Sequence, residues 1–420
     1  MLKITRSTSP ILEPQPGCPW AEQMVLNPAF IPDPDGNRLH MLFRASGPWA
    51  HMQREGQPLP YPIFLGYAFS DDGGETWEAD FSRPALAPAL EQERVRLFIT
   101  TADGRQTLNH ANGCIEDPRL FYLDGELHMT VAARMFPPGP YWTGTPLTCC
   151  SPDWALRGDH GLGMAVTANV TVSILYRVDL AALSQRRYDE AFTYITHLTD
   201  PQKGDNRDVY LFPRKLQIDG REQYVCFHRP WTPASYAEGA NLKLPSMFLA
   251  AADRLEDLAT DAAKQHVLAT PRFGWEANRI GGSFPPIEVE AGVWLASYHG
   301  KGAGNLGYTQ SFMILEEQDR GFPRVRHRCS DRLLYATQPW ELNGKFPTPC
   351  LFTCAGWKIG DDLLMSYGAA DTKAGMARVN FDELVDHVRR FDADGHQIKP
   401  KATVSVARSA PVRAAQRVSA

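Results

Sequence analysis

Pro118–Arg134, PRLFYLDGELHMTVAAR, holds two apolar runs on either side of Asp124-Gly125. An Asp-Gly pair accepts the positive φ angles of a two-residue hairpin turn, so the stretch reads as two antiparallel strands. The same layout recurs further along. Asp208–Pro230 turns at Asp219-Gly220, Pro286–Gly300 at Ala291-Gly292, and Cys350–Thr372 near Gly360-Asp361. Four hairpins of one style predict a repeated unit. The strand endings repeat as well. Phe43-Arg44-Ala45, Ala133-Arg134, Phe227-His228-Arg229-Pro230, Ser297-Tyr298-His299-Gly300 and Ser366-Tyr367-Gly368 each close an apolar strand with polar or cationic residues. Their intervals, very roughly 70 to 95 residues, suit a blade with insertions. Five units predict an all-β, five-bladed propeller, in which inner strands line a channel and polar strand ends converge on one site. A β-sandwich would scatter them.

The rest of the composition fits this reading. The 33 Gly and 33 Pro of the 420 residues are spread along the chain, which suits short strands and tight turns rather than helical bundles. With 43 basic and 48 acidic side chains the net charge is −5, and no basic run selects nucleic acid or an anionic membrane. No stretch approaches a membrane span and the first ten residues lack a signal-peptide core, so the expected location is cytoplasmic. The eight cysteines form no CxxC pair, so neither a disulfide framework nor a metal site is expected. The expected organisation is an N-terminal extension (1–26) packing on a propeller (27–390), then a poorly ordered tail (391–420). Met135–Gly163 reads as a long inserted loop able to overhang a site. Helical signals are confined to Arg254–Gln265 and Asp382–Arg390, the latter a short C-terminal helix.

Two motifs carry more information. Ser70-Asp71-Asp72-Gly73-Gly74-Glu75-Thr76-Trp77 fits the S-x-D-x-G-x-T-W Asp box, a hairpin clamp in which Ser and Asp side chains bond the turn backbone over Trp77. Gly113-Cys114-Ile115-Glu116-Asp117-Pro118-Arg119 sets two carboxylates before a Pro and an Arg at a hairpin entrance. An acid there can face a channel with Arg119 as charge partner. In an extended segment Glu116 and Asp117 point to opposite sides, so one of them faces the site. Taken alone, the run also suits a turn-stabilising Asp with a salt bridge.

Several runs together resemble the ordered motifs of glycoside hydrolase family 130, the β-mannoside phosphorylases and related β-mannosidases. They are Asn27-Pro28-Ala29-Phe30-Ile31-Pro32-Asp33, Phe43-Arg44-Ala45, Ile115-Glu116-Asp117-Pro118-Arg119, Asp208-Val209-Tyr210-Leu211-Phe212-Pro213-Arg214-Lys215 and His228-Arg229-Pro230. Gly274-Trp275-Glu276, Arg279 to Ile287, Tyr298-His299-Gly300 and Tyr367-Gly368-Ala369-Ala370-Asp371-Thr372 follow in order. The resemblance spans roughly Asn27 to Arg390 and implies a five-bladed propeller with an inverting mechanism. It implies Asp117 as general acid, acting through a hydroxyl of the bound mannose, and Asp371 as a mannose-binding carboxylate. Arg207-Asp208 stands where many members have Lys-Asp, and no phosphate-binding pair aligns in the insertion.

The expected activity is therefore phosphorolysis of a terminal β-mannoside, giving α-mannose 1-phosphate reversibly. The co-substrate is inorganic phosphate, with no cofactor, and the partner is a small oligosaccharide; homo-oligomerisation is left open. Asp117 is the catalytic candidate. Arg44, Glu276, Tyr298, Tyr367 and Asp371 are assigned to the sugar, with Trp275, Phe284, Tyr141, Trp142 and Trp231 as further aromatic faces. Arg119, Arg207, Lys215, His228, Arg229 and His299 are assigned to phosphate, which calls for cationic donors. Glu276 has a second reading, holding Arg279. The rival activities are an inverting β-mannosidase using water and an inert glycan-binding propeller; a sialidase is disfavoured by the single Asp box.

Overall fold

The computed structural model describes residues 2–34, 36–47, 53–54, 57–58, 61–89, 96–135, 169–237, 242–344 and 349–398. Most of the predicted insertion, with Tyr141 and Trp142, and the tail from residue 399 lie outside the described residues.

Five antiparallel sheets, each built on a path of four strands, form the five blades of a β-propeller. From the axis outward, the first blade is Met24–Pro32, Leu39–Ser46, Phe64–Ser70 and Glu78–Asp80. The second is Cys114–Leu123, Glu126–Arg134, Val172–Val178 and Phe192–His197. The third is Asn206–Leu211, Arg221–Pro230, Met247–Ala252 and Lys264–Ala269. The fourth is Arg279–Gly282, Val293–Lys301, Tyr308–Glu316 and Arg324–Arg328. The fifth is Leu351–Ile359, Asp362–Ala369 and Lys373–Asn380, completed by Thr5–Arg6 from the N-terminal segment.

The hydrophobic pattern explains the layering. Inner strands are covered on both faces and read as nearly continuous apolar runs, whereas outer strands such as Arg324–Arg328 alternate with solvent. The predicted turns behave as their residues require, with φ of 52° and 83° at Asp124-Gly125 and 52° and 80° at Asp219-Gly220. All five polar strand endings belong to the second strand of a blade. Each stands beside the start of the inner strand, at one end of the propeller.

The Asp box closes the turn between the third and outer strands of the first blade. Ser70 Oγ donates to Asp72 Oδ1 (2.7 Å), Asp72 accepts from the Thr76 backbone (2.9 Å), and Trp77 Nε1 donates to Gly74 O (3.1 Å). Phe381–Val388 is a helix capped by Asn380, matching the C-terminal helical signal. Arg254–Gln265 differs from expectation. It forms a 3₁₀ turn over Leu255–Ala259 and then enters the outer strand of the third blade, because Lys264–Ala269 finds Met247–Ala252 as a ladder partner. Residues 391–398 are also folded rather than loose. Phe391 is buried and bridges to Gln397.

Ring closure rests on a buried carboxylate as well as on the Thr5–Arg378 pairing. Glu341 accepts from Arg6 Nη1 (3.1 Å), Tyr367 Oη (2.9 Å) and the backbone of Thr337 (2.8 Å). Glu341→Gln keeps the volume and removes the charge facing Arg6. We expect a loss of about 1–3 kcal/mol, measured as a lower thermal midpoint with the β-rich circular dichroism spectrum retained.

Candidate active site

A backbone irregularity shared by three blades builds the site. The inner strands slip register between Leu26 and Ala29, between Glu116 and Arg119, and between Arg207 and Tyr210. In each slip an Asx residue takes the left-handed conformation, with φ of 46° at Asn27, 55° at Asp117 and 58° at Asp208. Asn and Asp tolerate this region better than other residues with a Cβ. The bulges turn three Asx side chains inward at one level of the channel.

This geometry corrects the expected alternation of Glu116 and Asp117. Because Asp117 is not extended, both carboxylates reach Arg44 Nη1, Glu116 at 2.8 Å and Asp117 at 3.1 Å. Asn27 Nδ2 donates to Asp117 Oδ1 (2.7 Å), and Arg207 Nη1 donates to the other oxygen of Glu116 (2.6 Å). Arg207 also reaches Thr171 Oγ1 (3.1 Å). Burial alone would raise the Asp117 pKa. Arg44, the Asn27 amide, Arg119 and Arg207 outweigh it and hold the carboxyl below its usual range.

The second centre is Asp208, which sequence reasoning left out of the site. Its oxygens meet Arg119 Nη2 (3.2 Å), Arg229 Nε (2.6 Å) and His299 Nε2 (3.4 Å). Burial opposes ionisation there, but Arg229, His299 and Arg119 keep its pKa well below normal. Arg119 is fully committed to the scaffold: it also donates to Ser283 O (2.8 Å), Asp117 O (3.1 Å) and Gly282 O (3.4 Å). It ties the second, third and fourth blades together. Gly281 makes room for this arrangement, since a Cβ on it would stand 2.2 Å from Asp208 Oδ2.

At the rim, the fourth blade presents Arg279 and Lys301, which are Cα partners in adjacent strands. Arg279 donates through Nε to Tyr308 Oη (3.0 Å), and its guanidinium lies 5.3 Å from the Trp231 ring centre. In the fifth blade, Asp371 is left-handed (φ 51°) and accepts from Cys350 Sγ (3.4 Å).

Other predicted site residues stand apart. Lys215 adjoins Leu216, which pairs with Gln223 near the hairpin turn, whereas Asp208 lies towards the Arg229 end of the same ladder. Some six residues of strand separate them, about 20 Å. Lys215 covers the Tyr224 ring instead. His228 points away from the channel because its neighbour Arg229 points in. It is held between Asn206 Nδ2 (3.0 Å) and Gln265 Oε1 (2.9 Å). Glu276 binds Arg328 (2.8 Å) and the backbone of Arg272 and Phe273, not Arg279. Tyr298 donates to Cys329 O (3.2 Å), and Tyr367 to Glu341. Trp275 and Phe284 are core residues, while Trp231 is 45% exposed. Among the described residues, metal-ligand types gather at Cys329, Asp331 and His387, beneath the C-terminal helix and outside this cluster.

The site thus sets an acid on a bulge, cationic side chains from four blades around it, and a carboxylate at the rim. Such a set can protonate a leaving oxygen and hold an anion.

The sequence pattern of glycoside hydrolase family 130, described as beta-1,4-mannooligosaccharide phosphorylase, matches residues 164–390, more than half of the chain. A beta-1,2-mannobiose phosphorylase from a Thermoanaerobacter species is 27% identical over 387 residues, covering 91% of this chain and 99% of that protein. A 1,2-beta-oligomannan phosphorylase from the same source is 26% identical over equal shares. Among solved structures, the beta-1,2-mannobiose phosphorylase of Listeria innocua, in complex with beta-1,2-mannobiose, has a TM-score of 0.60 at 17% identity. It is covered over 99% of its length by 92% of this chain. That likeness is one of fold.

Three outcomes follow from this placement. Gly281→Ala should displace Asp208, at about 1–3 kcal/mol of overpacking strain, lowering the thermal midpoint and the turnover together. Tyr367→Phe should lower the thermal midpoint and leave turnover at the wild-type level; a rise in KM for sugar would return Tyr367 to the site. Burial pushes the His228 pKa down to about 4, against about 6.5 in an unfolded chain. The unfolded chain therefore takes up the proton first, and stability present above pH 6.5 is lost as pH falls towards 4. His228→Gln should flatten the dependence of the thermal midpoint on pH across that window.

Proposed function

The chain belongs to glycoside hydrolase family 130, and from that membership we propose that it is an inverting β-mannoside phosphorylase. It cleaves a terminal β-mannosyl linkage with inorganic phosphate, gives α-mannose 1-phosphate, and runs in both directions. The observation that carries this reading is the seating of Asp117 on its bulge. It is fixed by Asn27 and Arg44 at the end of the channel where cationic residues of four blades gather. The full-length relatives described as phosphorylases support it.

Asp117 is the general acid and protonates the leaving oxygen, through a mannose hydroxyl as in the family's mechanism. With the site empty its carboxyl is held below the usual range; a bound sugar, by excluding solvent from that carboxyl, favours the neutral form that can donate. Phosphate attacks the anomeric carbon from the opposite face, and its dianion needs no general base. In becoming an ester it releases one proton, equal to the one delivered to the leaving sugar, so the cycle balances. Glu116 is held by Arg44 and Arg207, which leaves it unsuited to activating a water. Asp371 binds sugar hydroxyls at the rim.

Asp117→Asn should cut turnover by about 10² to 10⁴ with an unchanged circular dichroism spectrum, because the amide is nearly isosteric and carries no transferable proton. Cleavage of a β-mannobiose should require phosphate and saturate with it. Free mannose formed at full rate in phosphate-free buffer would instead make the protein an inverting β-mannosidase.

A further inference from the structure

We propose that Cys329, Asp331 and His387 hold one divalent transition-metal ion of the zinc type, which fastens the C-terminal helix to the fourth blade. The site lies at the outer strand of that blade, away from the channel, and does not depend on which mannoside reaction the protein performs.

The case starts from donor chemistry. A thiol, a carboxylate and an imidazole each offer one ligand atom, and the three atoms lie within 4.8 Å of one another. Tetrahedral zinc, at about 2.0–2.3 Å from its S, N and O ligands, sets those atoms roughly 3.5 Å apart. His387 Nε2 and Asp331 Oδ2 already stand at 3.1 Å, so small side-chain rotations close the shell. Asp331 is half exposed, which lets water take the fourth position. A thiolate beside an imidazole selects a zinc-type ion over magnesium or calcium. Charge fits as well. Binding releases the thiol proton, and one thiolate and one carboxylate then neutralise the divalent ion beside a neutral imidazole. A neutral site can sit under a helix without the cost of a buried net charge.

The ligand backbones are fixed by the fold itself. Cys329 directly follows the outer strand Arg324–Arg328, and its N–H donates to Phe312 O (3.0 Å). Ser311 Oγ donates to Cys329 O (3.2 Å) and to Asp331 O (2.9 Å), pinning both residues on one turn. His387 stands in the last turn of the helix Phe381–Val388, whose Leu384, Val385 and Val388 share an apolar cluster with Cys329. The side chains are held lightly by comparison. The buried Cys329 thiol reaches the Asp331 carbonyl at 4.0 Å, a weak contact. His387 Nε2 faces Asp331 and Nδ1 has no hydrogen-bond partner among the described residues, so the ring can turn to an ion at the loss of the Asp331 contact alone. Neighbouring cations are engaged elsewhere: Arg328 with Glu276 (2.8 Å), Arg389 with Glu290, and Arg332 over the Tyr335 ring (4.2 Å). Sequence spacing hides the site, because His387 lies 56 residues beyond Asp331.

The test takes the full-length protein, strips it with a chelator and titrates it with Zn²⁺ and with Co²⁺. One equivalent should bind per chain, and Co²⁺ should give a thiolate-to-cobalt charge-transfer band in the near ultraviolet. Zn²⁺ at a hundredfold excess over its Kd should raise the thermal midpoint by about 3 °C. Cys329→Ala and His387→Gln should each remove both the band and the rise. Asp331→Asn should weaken binding by at least the roughly tenfold that loss of a supporting contact costs. His396→Gln, on an exposed histidine outside the site, should change neither readout. If Cys329→Ala fails to fold, the other two site variants still decide. Absence of the band from the wild-type protein, or a band and midpoint rise that survive in His387→Gln, would overturn the assignment.

Discussion

A single carboxylate, Asp208, holds the centre of the molecule in register. It sits beside the channel with Arg119 of the second blade, Arg229 of the third and His299 of the fourth against its two oxygens. Three blades whose backbones meet sparsely, between Asn206 and Thr171 and between Ile280 and Pro245, are tied there by charge. Burying one anion is costly unless cations and hydrogen bonds surround it, so the cluster stands or falls together. It also fixes Arg119, whose other donors reach the carbonyl of Asp117 and so hold the bulge that turns the Asp117 carboxylate inward.

The bulges show how one repeated backbone device takes on different surroundings in different blades. Asn27, Asp117 and Asp208 occupy equivalent slips in three successive blades. Only Asp117 meets both Arg44 and an amide donor, while Asp208 is locked by arginines and Asn27 is neutral. One backbone device thus presents an amide donor, a carboxylate held by a single arginine and a carboxylate locked by two, with each residue's character set by its neighbours.

Much of the fold was legible because turns and strand parity are local. Asp124-Gly125 and Asp219-Gly220 declare their hairpins through φ preference, and the strand endings at Arg44, Arg134, Arg229, His299 and Tyr367 mark the second strand of each blade. Motifs singled out Asp117 and Arg44, which lie in contact, and the rest of the cluster was obscured where conformation broke a local rule. Left-handed Asp117 brings Glu116 to the same arginine, against alternation. Lys215 lies seven residues beyond Asp208 in sequence, and the strand carries it to the far end of the blade. His228 and Arg229 are neighbours with opposite orientations, and parity counted from His299 points Lys301 to the channel side. Glu276, Tyr298 and Tyr367 looked like sugar ligands, but their partners lie in the packing between elements, which spacing does not reveal.

The pairing of Thr5–Arg6 with the fifth blade ties residues some 373 positions apart. On the ribosome Thr5–Arg6 emerges long before its partner Lys373–Asn380. The nascent chain must therefore keep that strand unpaired until nearly all of the protein has been made. Contacts of such long sequence separation carry a loop-closure cost that is met only once the intervening blades exist. Closure of the ring therefore waits for the fifth blade, and a chain stopped short of Lys373–Asn380 leaves a sheet edge open to pairing with another molecule.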